Sequence, residues 1–220
     1  MKCARSRTIK GAKLAAVMLC SLLCAWLPSP VLGQYEALFD TASVERRLTT
    51  RLSLKPSDVN LLRPIMQREN DNLVSLYFHV SDVNSTDFLG LWDAVRVRNA
   101  IADKSWPANL RPRQKQALSC ARTEFETRIL EKWLDDYLQT LGEWLELDWI
   151  QMKYVEKLFK SEHVARLEIF EKEKRLSIRL DYQWQELSAR REVKMEQILD
   201  KLQLREYHQM TTIPRFLAKK

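Results

Sequence analysis

The chain has 220 residues, with 36 basic and 29 acidic side chains and a formal charge of +7. Four glycines and seven prolines are too few for the many tight turns of a β-sandwich or barrel. No phosphate-binding glycine loop, nucleophile elbow or metalloprotease histidine pair is written in it, so no enzyme and no cofactor is expected.

The first 33 residues read as a cleaved secretory leader. Met1–Lys13 carries Lys2, Arg5, Arg7, Lys10 and Lys13 and no acid, and an apolar run follows over Leu14–Leu27. Pro28-Ser29-Pro30 breaks the run, and Val31 and Gly33 stand at −3 and −1 of a cut before Gln34. The apolar run is short of the ~20 residues a bilayer span needs, so no membrane insertion is expected after cleavage. The leader holds five basic residues and no acid, leaving 31 basic against 29 acidic. The basic balance is therefore a targeting feature, and no nucleic-acid partner is expected. Cys3, Cys20 and Cys24 fall in the leader. Cys120 then has no partner for an internal disulfide, and its neighbours Ala117, Leu118 and Ala121 predict burial on a helix.

Beyond the leader, apolar residues recur at three- and four-residue steps, which predicts an all-α chain of long antiparallel helices in hairpins, an elongated or curved bundle. A helix is expected over Ser57–Val80, with Pro64 as a kink. Residues 81–87 read as a turn, with Ser85 or Thr86 capping a helix that carries Phe88, Leu91, Trp92, Val95 and Ile101. Trp106–Asn109 ends it. The next helix starts at Pro112 and reaches about Gly142. Asp148–Leu202 contains no Gly or Pro and predicts one long helix, or two with a break near Arg179–Tyr182. The expected organisation is one domain of two units, residues 34–142 and 143–220.

The helix starts repeat. Leu54-Lys55-Pro56-Ser57-Asp58 matches Leu147-Asp148-Trp149-Ile150-Gln151, 93 residues later, and Leu62, Met66 and Glu69 match Val155, Phe159 and Glu162 at the same offset. Leu110-Arg111-Pro112-Arg113-Gln114 follows Leu54 by 56 residues, and Leu204-Arg205-Glu206-Tyr207-His208 follows Leu147 by 57. Each start has a capping logic. Asp148 can accept first-turn N–H groups while Gln151 reaches back to the cap, and Leu147 can staple onto Met152. Pro112 takes the first helical position, where its missing N–H costs nothing. The paired spacing predicts a tandem duplication whose marks are Leu54, Asp58, Leu110, Pro112, Gln114, Leu147, Asp148, Gln151 and Leu204, all structural.

Four such starts resemble the Spy/CpxP family of periplasmic proteins with repeated LTxxQ motifs. Gln114 and Gln151 keep the glutamine, Asp58 and His208 replace it, and Lys55, Arg111, Asp148 and Arg205 stand at the threonine. The resemblance implies a periplasmic protein of helical hairpins, acting as an ATP-independent chaperone or envelope-stress adaptor. It implies protein partners, either unfolded clients or an envelope sensor, and leaves room for a homodimer. Its heavy-metal-sensing relatives supply one alternative, but His79, His163 and His208 lie far apart in sequence and no ligand set is written at helical spacing. A structural coiled-coil role is the other, without clean heptads to support it. Trp92, Trp133, Trp144, Trp149 and Trp184 are expected mostly in the core.

Overall fold

The structure, a computed structural model, describes residues 38, 40–84, 87–102, 106–173 and 178–217. The expected leader and its cut before Gln34 lie outside them. The chain divides into two compact units, Met1–Asp40 and Thr41–Lys220, and everything below lies in the second. Its described residues form seven helices and no strand: α1 Thr41–Leu52, α2 Pro56–Asn84, α3 Gly90–Ala102, α4 Pro112–Trp144, α5 Trp149–Glu173, α6 Ile178–Ile198 and α7 Lys201–Leu217. The all-α expectation holds. Among the described residues no helix is long and apolar enough to cross a membrane.

Helix α4 organises the packing because one face of it is apolar from Ala117 to Leu141. Ala117, Leu118, Ala121, Phe125, Ile129, Leu130, Trp133, Leu134, Tyr137, Leu138 and Leu141 recur at three- and four-residue steps and are all buried. Its earlier turns pack against α1, α2 and α3, and it also packs against α5, which pairs with α6. Its last turns join Val155 and Phe159 of α5, Met195 of α6, and Tyr207 and Met210 of α7 in one cluster around Phe88. Each large side chain withdrawn from water there contributes about 1.5–3 kcal/mol.

Three boundaries differ from expectation. Helix α2 continues through Pro64 and one turn past Val80, to Asn84. Ser81, Asp82 and Asn84 are polar, but the stretch holds no Gly or Pro, and such residues cost a helix only a few tenths of a kcal/mol each. Ser85 and Thr86 lie outside the described residues; what opens α3 is Asp87, whose carboxylate accepts the Leu89 N–H at 2.9 Å and whose carbonyl accepts that of Gly90 at 3.0 Å. The stretch from Asp148 to Leu202 is divided differently as well. Arg179–Tyr182 lies within α6, residues 174–177 between α5 and α6 lie outside the described residues, and a break at Leu199-Asp200 separates α6 from α7. Cys120 is half-buried rather than buried.

The turns before α2 and α5 are alike. The Leu54 N–H donates to the Thr49 carbonyl and the Leu147 N–H to the Gly142 carbonyl, each at 3.1 Å. In each turn the preceding residue, Ser53 or Glu146, is left-handed at φ 47°. This is a Schellman end, built twice at a spacing of 93 residues without the usual glycine.

Candidate functional site

The expected helix starts are brought together in two pairs, each closed by side-chain hydrogen bonds across the pair. In the first, Leu54 and Leu110 are buried. The Lys55 N–H donates to Asp58 Oδ2 at 3.4 Å, and the Arg111 N–H to Gln114 Oε1 at 2.8 Å. The Gln114 amide then donates across the pair to Asp58 Oδ1 at 2.8 Å, and Arg111 reaches the same oxygen. The Gln114 bond, with help from the Lys55 N–H and Arg111, holds the Asp58 carboxyl below the usual carboxylate range. Pro112 sits at the start of α4, as expected.

The second pair corrects the fourth start. Leu204 lies half-buried inside the first turn of α7, whereas that helix opens at Leu199-Asp200-Lys201-Leu202-Gln203. Asp148 Oδ1 accepts the N–H groups of Ile150 and Gln151, and Asp200 Oδ1 those of Leu202 and Gln203, all at 2.8–2.9 Å. The Asp148 and Asp200 N–H groups donate back to Gln151 Oε1 and Gln203 Oε1. These are two complete capping boxes. Their glutamines bond to each other in both directions, at 2.8 and 3.1 Å. Gln151 Nε2 also donates to the Ile198 carbonyl and Gln203 Nε2 to that of Leu145. Each amide thereby makes the four hydrogen bonds it can make. The signal was present in the sequence: LDKLQ at 199–203 repeats LDWIQ at 147–151, but at a spacing of 52 rather than 57.

Beneath each pair lies a buried carboxylate held by two arginines. Glu69 of α2 meets Arg98 of α3 at 2.5 Å and Arg122 of α4 at 3.3 Å, and it accepts the Trp106 indole N–H. Glu162 of α5 meets Arg191 of α6 at 3.1 Å and Arg166 of its own helix at 2.5 Å. Glu69 and Glu162, and equally Arg98 and Arg191, stand 93 residues apart. The arginines were illegible beforehand because charged side chains on a helix are usually solvated. Glu126, beside the first network, is pushed up to about 7 by burial, which outweighs its Asn99 hydrogen bond and the nearby Arg98. His163, beside the second, is pushed down to about 4 by burial and by Arg166. Each of the two network carboxylates, Glu69 and Glu162, is held by arginines of the protein itself. Among the described residues no three His, Cys, Asp or Glu side chains converge to hold a metal ion.

Accessible chemistry lies instead at the corner joining α4 to α5. Trp92, Trp133 and Trp184 are buried as expected, but Trp144 is 56% and Trp149 75% exposed. Ile150 and Tyr154 are also exposed, one helical turn apart on the first turns of α5. From Tyr154 a groove of about 290 Å³ runs between α5 and α6, floored by Leu158 and Ile198 and edged by Lys157 and Lys194. The capping boxes fix this corner, since Trp149 and Ile150 follow directly on Asp148. Comparison with protein-family models, with curated proteins and with solved structures finds nothing that matches this chain.

Proposed function

We propose that the chain is a polypeptide-binding scaffold, a periplasmic chaperone-like or envelope-stress adaptor protein of the Spy/CpxP kind, built as a tandem repeat. The repeat reading is supported by the two Schellman turns, the two paired helix starts and the two Glu–Arg networks, each recurring at or near the same offset. The observation that carries the functional reading is the exposed corner Trp144, Trp149, Ile150 and Tyr154. Large apolar side chains grouped on a surface mark a protein contact, and aromatic residues contribute most per residue at such contacts. The occupant is an unfolded segment with apolar residues for the corner and acidic residues for Lys157 and Lys194.

The test is dilution of a chemically unfolded client into an equimolar amount of the protein, followed by light scattering. Aggregation is suppressed by the wild-type chain and restored by the double variant Trp149→Ala/Tyr154→Ala, whose melting temperature stays unchanged because both side chains are exposed. Suppression by neither protein removes the reading.

A further inference from the structure

Among the differences between the two halves, one stands beside a cleft. In the first half, Arg122 lies eight residues after Gln114. Its guanidinium stacks 4.2 Å over the Trp106 ring, and together they close the space beside Glu69. In the second half, the residue eight after Gln203 is Thr211. The segment carrying Trp106 has no counterpart either: Arg98 precedes Leu110 by twelve residues, Arg191 precedes Leu199 by eight. Glu162 takes its second arginine from its own helix, as Arg166. A cleft of about 330 Å³ is lined by Thr211 and Arg191, which stand where Arg122 and Arg98 stand in the first half, together with Asp87, Phe88, Tyr137 and Glu192 among others.

The lining is rich in acceptors. Arg191 is buried and already engaged with Glu162 at 3.1 Å and with Glu192 at 3.1 Å. Tyr137 is 2% exposed, and its hydroxyl, buried at the cleft, has no hydrogen-bond partner. A buried polar group left this way is uncommon and is normally met by a water or a ligand. Two carboxylates, Asp87 and Glu192, line the cleft against one guanidinium, Arg191. Glu192 has no carboxylate counterpart in the first half, where Asn99 stands 93 residues earlier. His208, half-exposed, lies 4.0 Å from Glu192 and adds a charge only when protonated. Thr211 Oγ1 donates to the Tyr207 carbonyl, so its oxygen remains an acceptor.

We propose that this cleft is a binding site for a small organic monocation, an alkylguanidinium or alkylammonium group, seated where the first half carries its own Arg122. The cation lies against Glu192 and donates to Tyr137 Oη and Thr211 Oγ1, beside Phe88, whose ring already carries the Arg191 guanidinium at 5.5 Å. The inference rests on the equivalence of the halves and not on the aromatic corner.

Calorimetric titration of the full chain with methylguanidinium, propylammonium and backbone-blocked arginine amide tests it. Saturable one-to-one binding is expected for at least one of the three, with acetate inert. Blocked arginine binding as well as methylguanidinium assigns the cation to a polypeptide side chain; its exclusion assigns it to a free small molecule. Tyr137→Phe removes one hydrogen bond to a charged group and weakens binding by about tenfold. It leaves the melting temperature equal or higher, because it removes an unsatisfied hydroxyl. Thr211→Arg restores the filling of the first half and abolishes binding. No saturable binding of any probe by the folded wild type overturns the proposal, as does affinity unchanged in Tyr137→Phe. The aromatic-corner variant Trp149→Ala/Tyr154→Ala binds these cations like the wild type, which keeps the two readings separable.

Discussion

Two glutamines tie a pair of helix starts together. Gln151 and Gln203 each cap a helix start, bond to one another and satisfy a carbonyl of the neighbouring turn. Truncating one leaves its partner amide and the Leu145 or Ile198 carbonyl short of a bond, and each lost bond in this half-buried place costs about 0.5–1.5 kcal/mol. Gln203→Ala is therefore expected to lower stability by about 2–4 kcal/mol in urea denaturation. A loss under 1 kcal/mol would show that the pair is solvated. The titrating residues give a second expectation. Glu126 binds its proton more tightly folded than unfolded, so the stability it contributes is full below about pH 4.5 and is lost as pH rises towards 7. His163 is the reverse: its contribution is full above about pH 6.5 and is lost as pH falls towards 4. The slopes oppose over the same interval. Wild-type stability should change little between pH 4.5 and 6.5. Glu126→Gln should become less stable as pH falls there, and His163→Asn (the residue standing at Asn70 in the first half) less stable as pH rises, each by about 2 kcal/mol over the interval at most. Parallel pH profiles for all three proteins would contradict this.

At the scale of elements, helix starts were legible and helix breaks were not. A start leaves a mark in the sequence because the first-turn N–H groups need an acceptor, and Asp148, Gln151 and Pro112 supply recognisable ones. The break at Leu199-Asp200 carries the same mark in Asp200 and Gln203. No Gly or Pro accompanies it, and the 57-residue spacing from Leu147 points to Leu204 instead. The ends of α1 and α4 are harder to read, since Ser53 and Glu146 occupy a left-handed position that usually calls for glycine. That conformation is unfavourable for any residue with a Cβ, by roughly 1 kcal/mol. Ser53→Gly and Glu146→Gly should each raise stability by about 0.5–1 kcal/mol in thermal unfolding, and a loss in both would mean that these turns are held by more than backbone geometry. The exposed corner was not legible at all. Trp144 and Trp149 look like core residues by spacing, and only the turn between α4 and α5 carries them outward.

For the whole molecule, periodicity identified an all-α bundle, and the match between residues 54–69 and 147–162 pointed to a repeated framework. On the proposed repeat, equivalent positions serve different ends: Arg122 corresponds to Thr211, and Glu162 takes its second arginine from its own helix as Arg166. Such a scaffold can present one surface for a partner and one cleft for a ligand. The proposed partner surface is the α4–α5 corner. Placing a photo-reactive aromatic residue at Trp149, and separately at Tyr182, which is 68% exposed on α6, tests it most directly. Irradiated with an unfolded client, the protein should cross-link from position 149 and not from 182. No cross-link from 149, or equal yields from both positions, would contradict the account.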